Sequence, residues 1–322
     1  MPKAIRMNER GGPEVLQWVD VEVAAPGPGE ALLRHTAVGM NFADVYQRTG
    51  LYPQPLPSGM GSEAAGVIEA LGRGVRGFKR GDRVVYSLMA PGAYAEQRVV
   101  PADILLKLPA AVSDEQAAAI LLKGLTSWFL LRETYKVKRG DVLLVPAAAG
   151  GVGLIICQWA RALGARVIGV VSNEDKARLA RRHGCHLVLV GYHDLPARVR
   201  AANRNRGVDV VYDGVGRDTL FASLDCLRPR GMLVSFGNAS GAAPAFSPLE
   251  LAKRGSLFFT RAAARDYLTP EAQRVGARAL FSLVRRRAIR VHIGQRYPLA
   301  QAAKAQRELE ARRTVGSSVL IP

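Results

Sequence analysis

The residues best suited to chemistry form a glycine-rich turn, Ala147–Gly153, with the sequence Ala-Ala-Ala-Gly-Gly-Val-Gly. An apolar run with a valine at each end, Val142–Val145, precedes the turn, and a mostly apolar segment from Leu154 to Gly164 follows it. This order predicts a strand, a tight turn and a helix. Small residues let the backbone approach an anionic group, and a helix N-terminus adds N–H donors and a partial positive charge. The turn is therefore a candidate cradle for a pyrophosphate.

Two other interpretations of this stretch compete with the cradle. The spacing departs from the strict G-x-G-x-x-G pattern, and glycine-rich turns also simply connect elements, so the context decides. No charged side chain occurs from Val142 to Ala160, which is long enough for a transmembrane helix. Pro146 and the Gly150–Gly151 pair interrupt a continuous helix, and charges resume at Arg161. The soluble strand–turn–helix is favoured, without a membrane partner.

The segments after the turn alternate between strand-like and helix-like patterns. Such alternation is typical of a doubly wound parallel sheet in a Rossmann α/β domain, and this context favours the phosphate cradle. The predicted strands are Arg166–Val171, Leu187–Val190, Val208–Tyr212 and Gly231–Phe236, and the predicted helices are Glu174–His183, Asp194–Asn203 and Asp218–Leu227.

The chain before the turn is expected to be β-rich. Short half-buried strands at Glu30–Val38 and Gly66–Leu71, separated by glycine and proline, predict a compact barrel-like domain up to about residue 110. A strand-like tail, Ser317–Ile321, is expected to return to this domain, which would make the nucleotide domain an insertion. Helices are expected over Asp114–Tyr135, with Ser113 as N-cap, and over Pro270–Arg287.

Composition limits the class of protein. A chain of 322 residues is long for one core, so two domains are expected, and 48% hydrophobic with 22% charged residues is ordinary for a soluble enzyme. The N-terminal residues show no signal-peptide pattern, so the expected location is cytoplasmic. Three widely spaced cysteines and five histidines form no metal signature, and a disulfide framework is not expected.

The net charge of +18 is the unusual number in this composition. It is compatible with attraction to nucleic acid or to an anionic cofactor. The arginines are scattered, although they are denser at 178–182, 198–206 and 285–287, and no zinc-finger or RNP-like aromatic pattern accompanies them. A solvated basic surface is favoured, and a nucleic-acid partner is kept as an alternative of another class.

The end of the second strand indicates which dinucleotide binds. An acid at this position holds the ribose hydroxyls of NAD, whereas a cation accommodates the 2′-phosphate of NADP. Here the strand ends in Ser172 and Asn173 without an acid, and Lys176 follows shortly after. Glu174 and Asp175 intervene at the expected helix start, where acids favour the helix dipole. NADP is predicted, with Lys176 and Ser172 at the phosphate.

Several short motifs, spread in order over nearly the whole chain, match one family. The chain resembles the zinc-independent, zeta-crystallin-like NADPH:quinone oxidoreductases of the medium-chain dehydrogenase/reductase superfamily. The motifs are Gly11–Leu16, Asn41–Asp44, Arg48–Tyr52, Gly61–Gly66, Gly81–Tyr86, Lys123–Thr126, Ala147–Gly153, Tyr212–Gly216, Ser235–Asn238 and Gly316–Ile321.

This resemblance implies a GroES-like catalytic domain, residues 1–122 and 263–322, around a Rossmann NADP-binding domain, residues 123–262. Zinc-dependent relatives have a cysteine where this chain has Asn41, and a histidine where it has Ser62. Without those donors a tetrahedral zinc site cannot form there, and three cysteines cannot make the four-cysteine structural zinc lobe. No metal is expected. The resemblance also implies a homodimer, with 231–260 as the contact region.

The resemblance also implies site residues. The pyrophosphate would contact Gly150, Gly151, Val152 and Gly153, and Lys176 and Tyr192 match positions at the adenosine-phosphate end. The family often has serine where this chain has Gly214, so one polar contact is expected to be missing. The remaining implied cofactor residues are Phe42, Thr126, Asn173, Phe236, Gly237, Asn238, Ser240, Gly241 and Arg312.

The function implied is reduction of a quinone by NADPH, with Asn41, Tyr46 and Tyr52 lining the quinone site. A quinone is a good electron acceptor, so neither zinc nor a strong general acid is required, and the cofactor carries the chemistry. The family includes one-electron, semiquinone-forming enzymes, which the sequence does not distinguish from hydride donors. The alternative is an NADPH-dependent reductase of enones or enoyl thioesters, for which a tyrosine proton donor would be essential.

Overall fold

The computed structural model describes residues 1–88 and 90–322. Contacts between residues divide them into two compact units. The terminal unit contains Met1–Leu122 and Val291–Pro322, and the central unit contains Lys123–Arg290. The expected return to the first domain at residue 263 therefore differs from the return seen at Val291.

Packing inside the central unit explains this later boundary. The ring of Phe129 stacks on that of Tyr267, with 4.7 Å between centroids. A Cβ placed on Gly124 would lie 2.3 Å from the side chain of Leu280, so the long helix that carries Leu280 sits directly against this glycine. Residues 263–290 are thus bound to the central unit by side-chain packing.

The described residues form sixteen strands. In chain order they are β1 Lys3–Met7, β2 Gln17–Asp20, β3 Glu30–Met40, β4 Ser58–Gly59, β5 Glu63–Leu71, β6 Arg83–Ser87, β7 Gln97–Pro101, β8 Leu106–Lys107, β9 Val142–Pro146, β10 Arg166–Val171, β11 Leu187–Val190, β12 Val208–Asp213, β13 Leu227–Ser235, β14 Phe258–Arg261, β15 Ile293–Pro298 and β16 Ser317–Ile321.

Ten α-helices accompany these strands in the part of the chain that the structure describes. None of them is long and apolar enough to cross a bilayer. They are α1 Phe42–Thr49, α2 Asp114–Phe129, α3 Gly151–Ala162, α4 Glu174–Arg182, α5 Leu195–Ala202, α6 Leu220–Asp225, α7 Leu249–Lys253, α8 Ala264–Tyr267, α9 Pro270–Arg285 and α10 Ala302–Glu310.

The central unit is built on a parallel sheet with the strand order β11-β10-β9-β12-β13-β14. The alternating apolar segments of the sequence predicted a doubly wound parallel sheet, but neither its strand order nor the edge strand β14. The chain leaves β9 toward β10 and β11 and later continues on the other side through β12. Ligands of such sheets bind where the order reverses, outside the carboxyl ends of the strands. The crevice position is therefore set by β9 and β12.

The terminal unit contains a larger mixed sheet with the order β15-β16-β3-β5-β6-β8, to which β7 adds by pairing with β3. The terminal unit also contains a small three-stranded sheet with the order β2-β1-β4. The tail strand β16 pairs antiparallel with β3, with Ser318 opposite Met40, so the tail joins the terminal unit as the sequence predicted. A buried core including Leu33, Met60 and Tyr94 fills this unit.

Some element bounds differ from the expected ones. The helix expected over Asp114–Tyr135 ends at Phe129 and continues as one π-helical turn, Leu130–Thr134, whereas its N-cap is Ser113 as predicted. The helix expected over Asp218–Leu227 is shorter, because the Asp218 N–H donates to Ser240 Oγ at 3.0 Å and Leu227 already begins β13.

Candidate functional site

The glycine-rich turn lies between β9 and α3, at the point where the strand order reverses. Ala147 takes a left-handed backbone, with φ of 53°, and accepts a hydrogen bond from the Gly150 N–H at 2.9 Å. A Cβ on Gly153 would lie only 2.5 Å from Ala147 O, so this position requires glycine for the helix to start so close to the strand. The predicted tight turn opening into a helix N-terminus is therefore present, and its binding of a pyrophosphate stays a prediction.

The turn after β12 follows the strand that pairs with β9 in the central sheet, and Asp213 organises this turn. The buried carboxylate of Asp213 accepts the backbone N–H groups of Val215 and Gly216 at 2.8 and 3.1 Å. Its other oxygen accepts the hydroxyls of Thr219 and Ser223 at 2.7 and 2.8 Å. No role was predicted for Asp213, although an acid at the end of an apolar strand was an available signal.

Gly214 and Gly237 let the ends of β12 and β13 come close together. A Cβ on Gly237 would lie 2.4 Å from Gly214 O, and a Cβ on Gly214 would lie 2.8 Å from the Phe236 ring. The Phe236 ring thus occupies the space that the serine common in the family would need. This contact gives a physical reason for glycine at position 214.

The loop after β13 is tied to the loop after β12. The Ser240 hydroxyl donates to Val215 O at 2.9 Å, and the Gly241 N–H donates to Asn238 O at 2.9 Å. The structure therefore brings the predicted residues 236–241 next to Gly214. Because the Ser240 hydroxyl donates to a backbone carbonyl, we infer that this side chain holds the two loops together.

The predicted phosphate-end residues lie at the carboxyl ends of β10 and β11, which pair in parallel. Ser172 is exposed and Lys176 is half-buried. Asn173 is the N-cap of α4, because its side-chain oxygen accepts the Lys176 N–H at 3.0 Å. Tyr192 follows β11 and packs partly against the core of the central unit.

The two acids near the end of β10 pair with arginines of their own helix. Glu174 lies 3.6 Å from Arg181, and Asp175 pairs with Arg178. Both acids lie in the first turn of α4, as expected of N-terminal helix charges. Both acids near the end of β10 are therefore engaged by arginines of α4 instead of being available to a ribose.

Two of the predicted quinone residues, Tyr46 and Tyr52, form an aromatic row with Phe42, a predicted cofactor residue, on α1 and the segment that follows it. The rings of Phe42 and Tyr46 lie 6.0 Å apart, and those of Tyr46 and Tyr52 lie 5.0 Å apart in an edge-on arrangement. Gly50, with φ of 86°, ends the helix and turns the chain back, so the Tyr52 N–H donates to Tyr46 O at 2.9 Å. Tyr46 is buried, whereas Tyr52 is 38% exposed.

Arg48 fixes this helix, a structural role that was not predicted from the sequence. Its guanidinium is fully buried and donates to Gln306 Oε1, Gly11 O and Glu310 Oε2 at 2.7, 2.7 and 2.6 Å. The three bonds join α1 to α10 and to the loop before β2. The aromatic row therefore rests on an anchored helix.

Two of the predicted cofactor residues lie apart from these groups in the chain. Thr126 is a half-buried residue of α2 in the central unit. Arg312 belongs to the terminal unit, just after α10, where it is exposed and has a left-handed backbone with φ of 58°. Their roles stay predictions.

Comparison with known proteins places this geometry in a family. A profile described as "Alcohol dehydrogenase GroES-like domain" matches residues 27–110, and one described as "Zinc-binding dehydrogenase" matches residues 151–272. A quinone oxidoreductase of Pseudomonas aeruginosa is 50% identical over the whole of both chains. The chain belongs to the quinone oxidoreductase family.

Solved structures and other relatives agree with this placement. The Escherichia coli quinone oxidoreductase complexed with NADPH is 48% identical, covers 99% of this chain and 100% of its own, and superposes with a TM-score of 0.96. A 2-haloacrylate reductase of a Burkholderia species is 44% identical over 100% of this chain and 99% of its own. The predicted fold class, a GroES-like domain with a Rossmann domain, is confirmed.

The residues at the zinc position of the superfamily do not fit a zinc ion. Asn41 is buried and its amide N–H donates to Glu63 Oε1 at 2.8 Å, while Glu63 Oε2 accepts the Leu122 N–H at 2.6 Å. An amide committed to a carboxylate, with Ser62 beside it, is not a set that binds structural or catalytic zinc. Over residues 1–88 and 90–322, no group of three or more His, Cys, Asp or Glu side chains could hold a metal.

Proposed function

We propose that this protein is an NADPH-dependent quinone reductase that works without a metal. The observation that carries the proposal is the turn between β9 and α3, a cradle at the reversal point of the sheet whose glycine approaches the strand too closely for any side chain. The full-length similarity to quinone oxidoreductases, one of them solved with NADPH, supports the same activity.

Residues at the carboxyl ends of β9, β10 and β12 in the central unit would hold NADPH. The backbone N–H groups of Gly151 to Gly153 would face the pyrophosphate, aided by the dipole of α3. Lys176 and Ser172 would contact the 2′-phosphate, and Tyr192 the adenosine end. NADPH, when bound, supplies the reducing electrons; the chain binds and orients it.

The aromatic row would hold the quinone. Tyr46 and Tyr52 present ring faces and hydroxyl groups, and flat π-systems of a quinone stack well on such rings. Asn41 would stay a positioning residue, since its amide N–H is already bonded to Glu63 at 2.8 Å. A quinone takes electrons readily, so this unit needs no strong acid.

A substrate panel tests this function. Purified protein is assayed with several quinones and enones, with NADPH and NADH side by side. We expect quinone-dependent oxidation of NADPH and weaker activity with NADH. If the protein oxidises NADPH with none of the quinones, the assignment as a quinone reductase is wrong. One-electron transfer stays a prediction, checked by electron paramagnetic resonance of the quinone during turnover.

A second candidate function is reduction of polarised alkenes, and the similarity to a 2-haloacrylate reductase favours it. Reduction of such a C=C bond needs a proton at the adjacent carbon, so a tyrosine hydroxyl becomes essential. Replacing Tyr52 by Phe distinguishes the two functions. Alkene turnover should be lost, whereas quinone reduction should mostly survive; survival of both activities would exclude Tyr52 as the donor.

We further propose that the protein is a cytoplasmic homodimer that pairs through the edge of the central sheet. β14 is the edge strand, and Phe258 on it is 53% exposed. Light scattering on wild type and Phe258→Lys tests this contact: we expect a dimer for wild type and a monomer for the variant. Cell fractionation checks the location.

Nucleic-acid binding is the alternative of another class. The central unit contains 28 lysines and arginines against 12 aspartates and glutamates, so it carries nearly all of the net charge of +18. If this surface binds nucleic acid, the affinity falls steeply with salt. A gel shift that is absent or insensitive to salt would exclude this alternative.

A further inference from the structure

Two of the three cysteines meet in the central unit. Cys157 lies on α3 and Cys185 follows α4, and their Sγ atoms are 3.3 Å apart. Both side chains are buried, Cys157 completely and Cys185 to within 6%. Both are free thiols in this structure. Nothing in the proposed reduction of a quinone uses them.

Glycines shape the space around this pair. A Cβ on Gly169 of β10 would lie 2.7 Å from Cys185 Sγ, so the missing side chain gives this sulfur its place. A Cβ on Gly184 would lie 2.7 Å from Cys157 O, so the backbone before Cys185 runs directly against α3. Gly184 has φ of 101°, a conformation that side chains rarely adopt. The two segments are therefore held at close backbone contact, as a disulfide requires.

The two thiols differ in a way that sets their order of reaction. The contact with the Cys185 sulfur and burial hold the pKa of Cys157 well above its ordinary value, so this thiol stays protonated. Cys185 is 6% exposed, whereas Cys157 is not exposed at all. Cys185 directly follows Gly184, the glycine with positive φ after α4. Since only Cys185 keeps any exposed surface, we assign it as the thiol that reacts first.

We propose that Cys157 and Cys185 are a modification site at which hydrogen peroxide forms a reversible disulfide. The Cys185 sulfur attacks the O–O bond and becomes a sulfenic acid, and the first water leaves. The Cys157 sulfur then attacks Sγ of Cys185, the S–S bond forms and the second water leaves. The two thiol protons enter the two waters, and the two electrons of the sulfurs reduce the peroxide.

The link would join two elements of the proposed NADPH site. Cys157 lies on α3, the helix that begins at Gly151. Cys185 follows α4, the helix that contains Lys176. A cross-link between them restricts the unfolded chain and should raise the melting temperature by several degrees. The modification is independent of which acceptor the enzyme reduces.

Peptide mapping of the full-length protein tests the proposal. The folded protein is treated with hydrogen peroxide, denatured, alkylated and digested, with and without a prior dithiothreitol step. We expect a linked peptide containing Cys157 and Cys185, its loss on reduction, and an alkylated Cys226 throughout. Cys226 is also fully buried, so it is the internal control.

Variants sharpen the result. Cys185→Ala should give no linked peptide, whereas the matched Cys226→Ala should give it as wild type does. The proposal is overturned if wild type yields no linked peptide at peroxide concentrations that oxidise its exposed Met1, or if Cys226 enters the cross-link. It is also overturned if dithiothreitol does not restore both thiols.

Discussion

Lys176 is the residue on which the choice between NADPH and NADH depends. It follows the end of β10, where the neighbouring acids pair with arginines of their own helix. Loss of one charge-assisted bond to the 2′-phosphate costs at least about 1.4 kcal/mol, or about tenfold. Lys176→Ala should therefore raise KM for NADPH about tenfold or more, with KM for NADH unchanged. Lys138→Ala, an exposed lysine of the same unit, is the control for a general charge effect.

His35 makes the stability of the terminal unit depend on pH. Its Nδ1 faces the carbonyl oxygen of Ala95 at 2.7 Å, so this nitrogen carries the hydrogen, and Nε2 faces the Tyr86 hydroxyl at 3.2 Å. Burial, aided by the charge of Arg98, lowers the pKa of His35 to about 4. The neutral ring is therefore the form that the fold accepts.

The sign of this dependence follows from the two states. Between about pH 6.5 and 4 the unfolded chain binds a proton at His35 that the folded chain does not, so the free energy of unfolding falls as pH falls. The loss amounts to about 3 kcal/mol over this window. Urea titrations of wild type and His35→Gln at pH 7 and 4.5 measure it; equal losses in both proteins would contradict the assignment.

Breaking the ion pair between the buried Arg48 and the partly exposed Glu310 should lower the free energy of unfolding more than breaking any surface pair. Removing the guanidinium breaks its hydrogen bonds. It leaves the Glu310 carboxylate without its cation and the Gln306 side-chain oxygen without its donor. Arg48→Met should lower the free energy of unfolding by about 3 kcal/mol. Arg34→Met, which breaks a solvent-exposed pair with Glu69, should cost less than about 1 kcal/mol. Similar losses for the two variants in urea unfolding would count against the anchor.

The turn between β9 and α3 makes a graded prediction at the scale of an element. A Cβ on Gly153 would lie 2.5 Å from Ala147 O, whereas one on Gly150 would lie 3.2 Å from the same oxygen. Gly153→Ala should weaken NADPH binding more than tenfold, because the helix start must move, and Gly150→Ala should weaken it less. Fluorescence titration with NADPH measures both, and circular dichroism checks the fold. The reverse order would show that the cradle is not at this turn.

Five strands of the central sheet, β9 to β13, were predictable because each contains a short apolar run in a chain that alternates strand-like and helix-like patterns, whereas β14 was not predicted. The bounds of β10 and β11 match the expected ones. Contacts distant in sequence were not predictable from the same signals. Three such contacts depend on segments that meet only after folding: the hydrogen bonds of the Asp213 carboxylate, the Phe236 ring against Gly214, and the pairing of Cys157 with Cys185.

Charge is the property that belongs to the whole molecule. The central unit has a large excess of basic residues, and the terminal unit, with 17 basic and 15 acidic residues, is nearly neutral. A positive unit attracts the polyanionic NADPH, and salt screens this attraction over about 10 Å at 0.1 M. KM for NADPH should rise severalfold between about 0.02 and 0.2 M salt, with kcat and KM for a neutral quinone nearly constant. A salt-independent KM for NADPH would contradict electrostatic attraction.

We propose that the protein passes electrons from NADPH to a quinone without a metal. The most direct test is steady-state oxidation of NADPH and of NADH by one active quinone, before and after treatment with a strong chelator. We expect kcat/KM at least about tenfold higher with NADPH, equivalent to about 1.4 kcal/mol, and no loss on chelation. Equal values for the two cofactors, or activity that disappears with the metal, would contradict the account.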